Sequence, residues 1–466
     1  MSERIDDNRP DLLPGGDECP TSVAEAESDT NSPPDKIVRR GATFESFKHR
    51  SYLLFWSGAL VSNVGTWMQT AVIALIAYGF RRSEFDVGLV TFLSQIPALF
   101  LALPGGVLAD RVDKRRLIIW AQVFLMFQAI AFGILYVTGH LSPSTPISSL
   151  IVVSFLGLIA GVLTALSFPA WQAILPDLVP RPTLLNAIAL NSAQFQSARM
   201  LGPLAAAGVI LLAGPISGIA DVFWINAVSF LFVIAALWAV RVQPHAIARV
   251  EPPRTEGAWK SLTEGVRYAA THRMIGIVIA STAVMSFVGM PYVFLLPSVA
   301  DKVLGFHTVV AYTNIYNFLL AANGLGALIG ALVVASLPHT VRRERIMRWT
   351  ILATAAVLIA FAFTHVLWLS LALSALAGAC VLTTNSLANT SVQANVPQRL
   401  RGRVMSVYIM CFLGIMPLSA AAFGPIAQAI GPSRAIAGGA AVLGAWALVL
   451  IARPSLLTSA EGETPD

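Results

Sequence analysis

Residues Gly105–Leu117, GGVLADRVDKRRL, place six charged side chains in the seven positions from Asp110 to Arg116. Only 12% of the 466 residues are Asp, Glu, Lys or Arg, so this knot stands apart from the long apolar runs on either side of it. A short charged turn between segments of about 20 apolar residues reads as the connection between two membrane-spanning helices. The whole chain agrees. It is 56% hydrophobic with a mean hydropathy of +0.70, more apolar side chain than a soluble fold of this length hides from water. The runs are continuous rather than alternating, which selects helices over a barrel.

Cutting the chain at its polar breaks predicts twelve spans, at about 52–79, 86–109, 117–138, 148–170, 187–213, 219–240, 272–298, 310–337, 347–364, 366–392, 404–428 and 434–452. Lys and Arg divide unevenly between the two sets of connections. The side of the 110–116 turn receives 24, and the other receives Arg81, Arg82, Lys302 and Arg434. With an even number of spans, this bias predicts that both termini and the charged turn are cytoplasmic. Topology therefore explains the net charge of +6 and the pI near 9.4, and no nucleic-acid partner is expected.

The predicted organisation is an acidic, disordered cytoplasmic tail over 1–44, an N-terminal six-helix bundle over 45–240 and a cytoplasmic linker over 241–271. A C-terminal six-helix bundle over 272–453 and a cytoplasmic tail over 454–466 complete it. No apolar signal-peptide core precedes Tyr52, so the first span is expected to direct insertion. Cys19, Cys380 and Cys411 form no metal-ligand set and give no reason to expect a disulfide. The halves echo each other: LVPRPTLLNAIALNSAQFQSARMLGPL (Leu178–Leu204) and NVPQRLRGRVMSVYIMCFLGIMPL (Asn395–Leu418) each set a Val-Pro turn before a long helix containing Pro-Leu. Internal repeats of this kind pack transporter halves around a central site.

Gly106, Asp110, Arg111, Lys114 and Arg115 match the loop pattern Gly-x-x-x-Asp-Arg/Lys-x-Gly-Arg/Lys-Arg/Lys, with Asp113 where the pattern has Gly. In this loop the chain resembles the major facilitator superfamily. Over about residues 45–455 it is similar to that superfamily's enterobactin-exporter branch, which includes macrolide and other drug exporters. The segments that carry this likeness are SNVGTWMQTAV, FPAWQAILPDLV, LNAIALNSAQF, ARMLGPL and VPQRLRGRVMS.

The resemblance implies an all-α integral membrane protein of two six-helix halves in the bacterial cytoplasmic (inner) membrane. It also implies that the charged loop latches the halves on the cytoplasmic side while the cavity opens outward. Physically, Asp110 can face the positive amino end of span 11, where Arg401, Gly402 and Arg403 combine a helix start with positive charge. The plainer alternative is that these charges only enforce topology. Such a latch is one-sided, because VVASLPHTVRRER keeps Arg342, Arg343 and Arg345 but ends span 8 without an acid.

Within the spans, Arg199 in span 5 is the exceptional ionised group. It is expected either to bind an anionic or catecholate substrate or to pack between helices and cap carbonyls beside Gly202-Pro203. ARMLGPLAAAG resembles the fifth-helix Gly-Pro motif of antiporters, in which Gly202 and Pro203 allow close approach and a bend. Asn63, Trp67, Gln69, Gln95, Asn191, Gln194, Asn317, Asn323, Thr383, Thr384, Asn385 and Asn389 are candidates to line a cavity, or else to glue helices together. Asp86, Asp221 and Asp301 are candidates for proton coupling.

No Walker loop, His-Glu-x-x-His pair or Gly-x-Ser-x-Gly elbow is present, so neither ATP hydrolysis nor membrane-embedded enzyme chemistry is indicated. No metal and no cofactor are expected. The reading is a monomeric secondary transporter, surrounded by membrane lipids, that exports amphipathic small molecules, siderophore-like or drug-like, by alternating access in exchange for protons. An importer or lipid flippase of the same fold, and a transporter-like sensor, stay open as alternatives.

Overall fold

The computed structural model describes residues 42–240, 258–338 and 342–457. Residues 1–41 of the predicted tail with Cys19, linker residues 241–257 and tail residues 458–466 lie outside these. The described chain is helical, and twelve of its helices are long and apolar enough to cross a membrane. They are span 1 (Arg50–Arg81), span 2 (Glu84–Arg111), span 3 (Lys114–Val137), span 4 (Pro146–Ala173), span 5 (Leu184–Ala213) and span 6 (Pro215–Ala239) in the first half. The second half holds span 7 (Arg273–Val303), span 8 (Val309–Ser336), span 9 (Arg343–Phe363), span 10 (Leu367–Asn395), span 11 (Gln398–Ile430) and span 12 (Pro432–Ala452).

Local chemistry sets where the spans begin and end. The Ser83 side chain accepts from the Asp86 N–H and starts span 2; Asp113 does the same for Arg116 and starts span 3. The acid that replaces the pattern's Gly is therefore a helix cap. Pro180 and Pro397, the prolines of the two echoed Val-Pro turns, sit just before the helical turns that open spans 5 and 11. Spans 1 and 2 are joined by Arg82 and Ser83 alone, and Arg82 takes the left-handed φ of 53° that so tight a connection demands. Near the predicted N-terminal boundary, Ser46 is buried and its N–H donates to Asn186 while its hydroxyl donates to the Thr183 carbonyl.

Three elements extend well beyond their predicted limits, and span 11 does so by starting at Gln398, six residues before 404. Span 7 continues past 298 to Val303 through two wide π turns, Met285–Gly289 and Val299–Val303, on either side of the helix Tyr292–Ser298. Residues 258–271 of the predicted linker form a helix, Ala258–Thr271. Its Gly265 lies against the backbone of Arg403 and its Glu264 pairs with the Arg403 guanidinium, which docks the helix on the start of span 11.

The two halves repeat one packing plan. Span 2 packs on span 4 and span 3 on span 6, as span 8 packs on span 10 and span 9 on span 12. Between halves, span 2 meets span 11 and span 5 meets span 8, seams related by the same six-span shift. Small residues permit both. Gly88 faces Ala420 and Gly424, and Gly324 faces the backbone of Arg199 and Met200. Inside the first half, Gln69 donates to Gln128 at 2.9 Å and accepts from Asn226 at 2.8 Å, a buried knot joining spans 1, 3 and 6.

Close approach of spans 8 and 10 rests on Gly326, where a Cβ would collide with the Ala375 carbonyl, whereas a Cβ on Gly438 would meet nothing within 4 Å. Gly326→Val is therefore expected to lower thermal stability in detergent by about 1–3 kcal/mol equivalent, and Gly438→Val to leave it nearly unchanged. A melting curve for each variant checks this.

Candidate functional site: the interface between the halves

Ionised groups inside a bilayer need partners or water. At the end of the bundle carrying the 81–84 and 301–308 connections, they find partners across the interface. Arg82 donates to Asp301 at 2.5 Å and to the His307 carbonyl at 2.9 Å. The Tyr78 hydroxyl donates to the other Asp301 oxygen at 2.7 Å, and His307 Nδ1 lies 3.1 Å from the first. In the reverse sense, Glu84 of the first half accepts from Lys302 at 2.7 Å and from Ser298, and its own N–H donates to Gln428 at 3.0 Å. Each half thus supplies one acid and one base to the other. The wide π turn at Val299–Val303 carries Asp301 and Lys302 side by side into the two pairs.

A second crossing lies at mid-bundle. Arg199 of span 5 donates to Asn323 Oδ1 of span 8 at 2.8 Å, and its guanidinium stands 5.8 Å from the centre of the Trp67 ring. Asn323 in turn donates to the Tyr292 hydroxyl and to the Ser374 carbonyl, the latter at 3.3 Å. Arg199 Nε is enclosed without a hydrogen-bond partner, and no carboxylate pairs with this guanidinium among the described residues. Phe195 meets the Trp67 ring edge-on, and Gly202 lies on the Trp67 Cβ and span 1 backbone, so the Gly-Pro motif fits span 5 against span 1. Span 5 stays helical through Pro203. Between the clasped end and mid-bundle, a cavity of about 60 Å³ is lined by Thr91, Gln95, Met290, Val293, Phe294, Met416 and Ser419.

The remaining predicted residues divide by location. Asn63 reaches Gln194 at 3.4 Å, beside the Arg199 seam, and Asn191 is half-buried on the same helix. Gln69 belongs to the polar knot of the first half. Thr384 bonds Thr350 of span 9 at 2.8 Å, the Asn385 carbonyl accepts from Tyr408, and Asn389 accepts from Gln393 of its own helix. Thr383 is buried against Gly330. Asn317 is fully buried and bonds the Thr313 carbonyl one turn back. Asp86 is held by Arg81 within its own half, and Asp221 is half-buried on span 6.

At the opposite, basic end, the side chain of Asp110 lies outside the described residues. Lys114 ties the loop to the Ala173 carbonyl and to Asp177, and Arg115 donates to the Trp238 carbonyl, all within the first half. Gly106 and Gly402 both face open space, Arg111 and Arg401 are exposed, and Arg403 is engaged by Glu264. The named contacts between halves gather at the clasped end and mid-bundle.

Sequence reasoning did not single out Glu84, Lys302, Tyr78, Ser298 or Tyr292. A signal was present in part: Lys302 is one of four basic residues on its side and adjoins Asp301.

Two six-helix halves meeting at paired seams, with a half-buried charged site between them, define a secondary transporter of the major facilitator superfamily. Over residues 41–463 the chain matches the family described as transmembrane secretion effectors, and it belongs to that family, one of transporters and not of enzymes. It is 23% identical to the staphyloferrin A transporter of Staphylococcus aureus, over 82% of this chain and 90% of that protein. It is 25% identical to the enterobactin exporter EntS of Escherichia coli O1:K1, over 77% and 81% respectively. Among solved structures, it is similar in fold to the inward open xylose transporter XylE from E. coli, with a TM-score of 0.63, 13% identity and coverage of 88% and 98%. The nucleoside transporter NupG gives a TM-score of 0.62, 12% identity and coverage of 86% and 98%.

Because Arg82 and Asp301 bond directly across the interface, their replacements should couple. Arg82→Ala and Asp301→Ala are each expected to lower the melting temperature in detergent, and the double variant to lose less than the two losses summed, by about 1 kcal/mol equivalent. Additive losses would show that the pair does not hold the halves.

Proposed function

We propose that this transporter exports anionic, amphipathic small molecules of the siderophore type across the bacterial cytoplasmic membrane, as a monomer, by alternating access and in exchange for protons. The observation that carries this reading is Arg199: a guanidinium at mid-bundle, on the seam between halves, with an enclosed Nε that has no partner. A carboxylate or catecholate oxygen supplies what that nitrogen lacks, and the Trp67 face beside it suits an aromatic or apolar body. The small cavity nearby adds Met290, Phe294 and Met416, side chains that adapt to bulky apolar groups.

Direction rests on two supports. The excess of 24 basic residues over four supports a cytoplasmic basic end, with the clasp facing outward and the other end facing the compartment from which an exporter loads. The staphyloferrin A and enterobactin transporters are distant relatives whose cargo is of the proposed kind. In this orientation the 106–115 loop and the start of span 11 both belong to the cytoplasmic side, where the proposed latch would act.

The test is uptake into everted membrane vesicles of a catecholate siderophore, a macrolide and a lipophilic dye cation, with and without a protonophore. Protonophore-sensitive uptake of the siderophore is expected. Arg199→Gln should cut siderophore uptake about tenfold or more, the worth of one charge-assisted hydrogen bond, and change dye uptake far less. An equal loss for both cargoes would make Arg199 a packing residue.

A further inference from the structure

A groove of about 330 Å³ runs along the outer side of spans 1 and 6, near the basic end of the bundle. Leu54, Ser57 and Val61 form one wall, and Phe232, Ala235 and Ala239 form the other. Its floor is the crossing at Gly58, where the missing Cβ lets span 1 rest on the Phe232 carbonyl and the Ala236 side chain. The groove opens away from the seams between the halves. Span 1 turns Trp56, Asn63 and Trp67 toward span 5, and helical spacing puts Ser57 and Val61 on the opposite side of the same helix. Val61 is 40% exposed and Phe232 54%, so on a membrane-spanning bundle this recess meets acyl chains.

Charge marks the mouth of the groove. Arg50 precedes Leu54 by about one turn, so Arg50, Leu54, Ser57 and Val61 share one helix face. Arg50 is exposed, and its guanidinium has no hydrogen bond or ion pair among the described residues. On the other wall, Arg115 donates to the Trp238 carbonyl at 2.9 Å, next to Ala239. The Trp238 ring, 70% exposed, is of the kind that settles at headgroup depth. Apolar walls about 10 Å long therefore lead up to two guanidiniums.

We propose that this groove binds one anionic phospholipid from the leaflet at the basic end: an acyl chain lies between spans 1 and 6, Arg50 holds the headgroup phosphate, and Arg115 adds positive charge. A zwitterionic lipid brings its own ammonium to this mouth, where two guanidiniums repel it, so the site selects phosphatidylglycerol over phosphatidylcholine. A second copy of this chain is a poorer occupant, since a symmetric contact on this face sets like charges together. The lipid joins two spans of one half and leaves the seams between halves untouched, so its binding requires no cargo.

The test uses the purified full-length protein in phosphatidylcholine nanodiscs with a trace of phosphatidylglycerol carrying a photoreactive diazirine on one acyl chain. Labelled peptides are mapped after illumination. The label is expected to concentrate on residues 54–61 and 232–239 and to be displaced by unlabelled phosphatidylglycerol. Arg50→Ala should lower it there about tenfold, the worth of one charge-assisted contact. Ser57→Phe, which fills the groove from an exposed position and keeps every charge, should abolish it. Arg342→Ala, which removes an exposed base of the second half, should leave it unchanged. A phosphatidylcholine probe with the same diazirine should show no preference for the groove. Label spread evenly over the outer helices, equal labelling by the two probes, or a pattern that either Arg50→Ala or Ser57→Phe leaves unmoved would overturn the proposal. A dimeric protein with an unlabelled groove would overturn it too, assigning this face to a second copy. Should Arg50→Ala fail to insert, Ser57→Phe and the comparison of the two probes decide.

Discussion

The two reciprocal ion pairs, Arg82 with Asp301 and Lys302 with Glu84, are the joint on which this conformation depends. A charge buried among apolar helices is tolerated only with a partner, and here each partner belongs to the other half of the molecule. Closure of that end is therefore a condition for satisfying both acids. The arrangement converts a general cost of membrane proteins into a contact with two states, paired when shut and solvated when open.

Under the proposed alternating access, the remainder of the interface moves around that joint. Gly88 with Gly424, and Gly324 with the Arg199–Met200 backbone, bring helices of opposite halves into direct backbone contact without interlocking side chains. These seams rest on close backbone contact, whereas the Gln69–Gln128–Asn226 knot joins three helices of one half by side-chain hydrogen bonds. Rigid halves and smooth seams are what rocking requires. Arg199 sits at mid-bundle on the span 5–span 8 seam, hydrogen-bonded among the described residues to the neutral Asn323 and lying against Trp67, so its charge is left for an anionic cargo under the proposed function.

Much of this was legible in the sequence. Twelve apolar runs divided by charged turns gave twelve spans, because a bilayer demands length and hydropathy that few other structures need. The Val-Pro echo at 179–180 and 396–397 pointed to two related halves, and spans 5 and 11 do begin alike and meet their partners by the same plan. What stayed hidden was pairing at long range. Glu84 reads as an ordinary acid in a first helical turn, and nothing local ties it to a lysine 218 positions away. Asp86 looks equally available, yet its charge is answered by Arg81 five residues earlier. Gln69 and Asn323 have the same composition cue, a lone amide in an apolar run, and one lies within a half while the other bridges two. The extra reach of span 7 to Val303 comes from π turns, which leave no periodic signature.

The central claim is that the two ends of the interface open in alternation. A membrane-impermeant maleimide tests it most directly, applied to single cysteines at Phe195, beside the Trp67–Arg199 site, and at Ser419, buried near the clasp. With the protein reconstituted and the cargo cycled, conditions that expose Ser419→Cys should protect Phe195→Cys, and the reverse. Labels that rise and fall together, or that never change, would contradict alternating access in this protein.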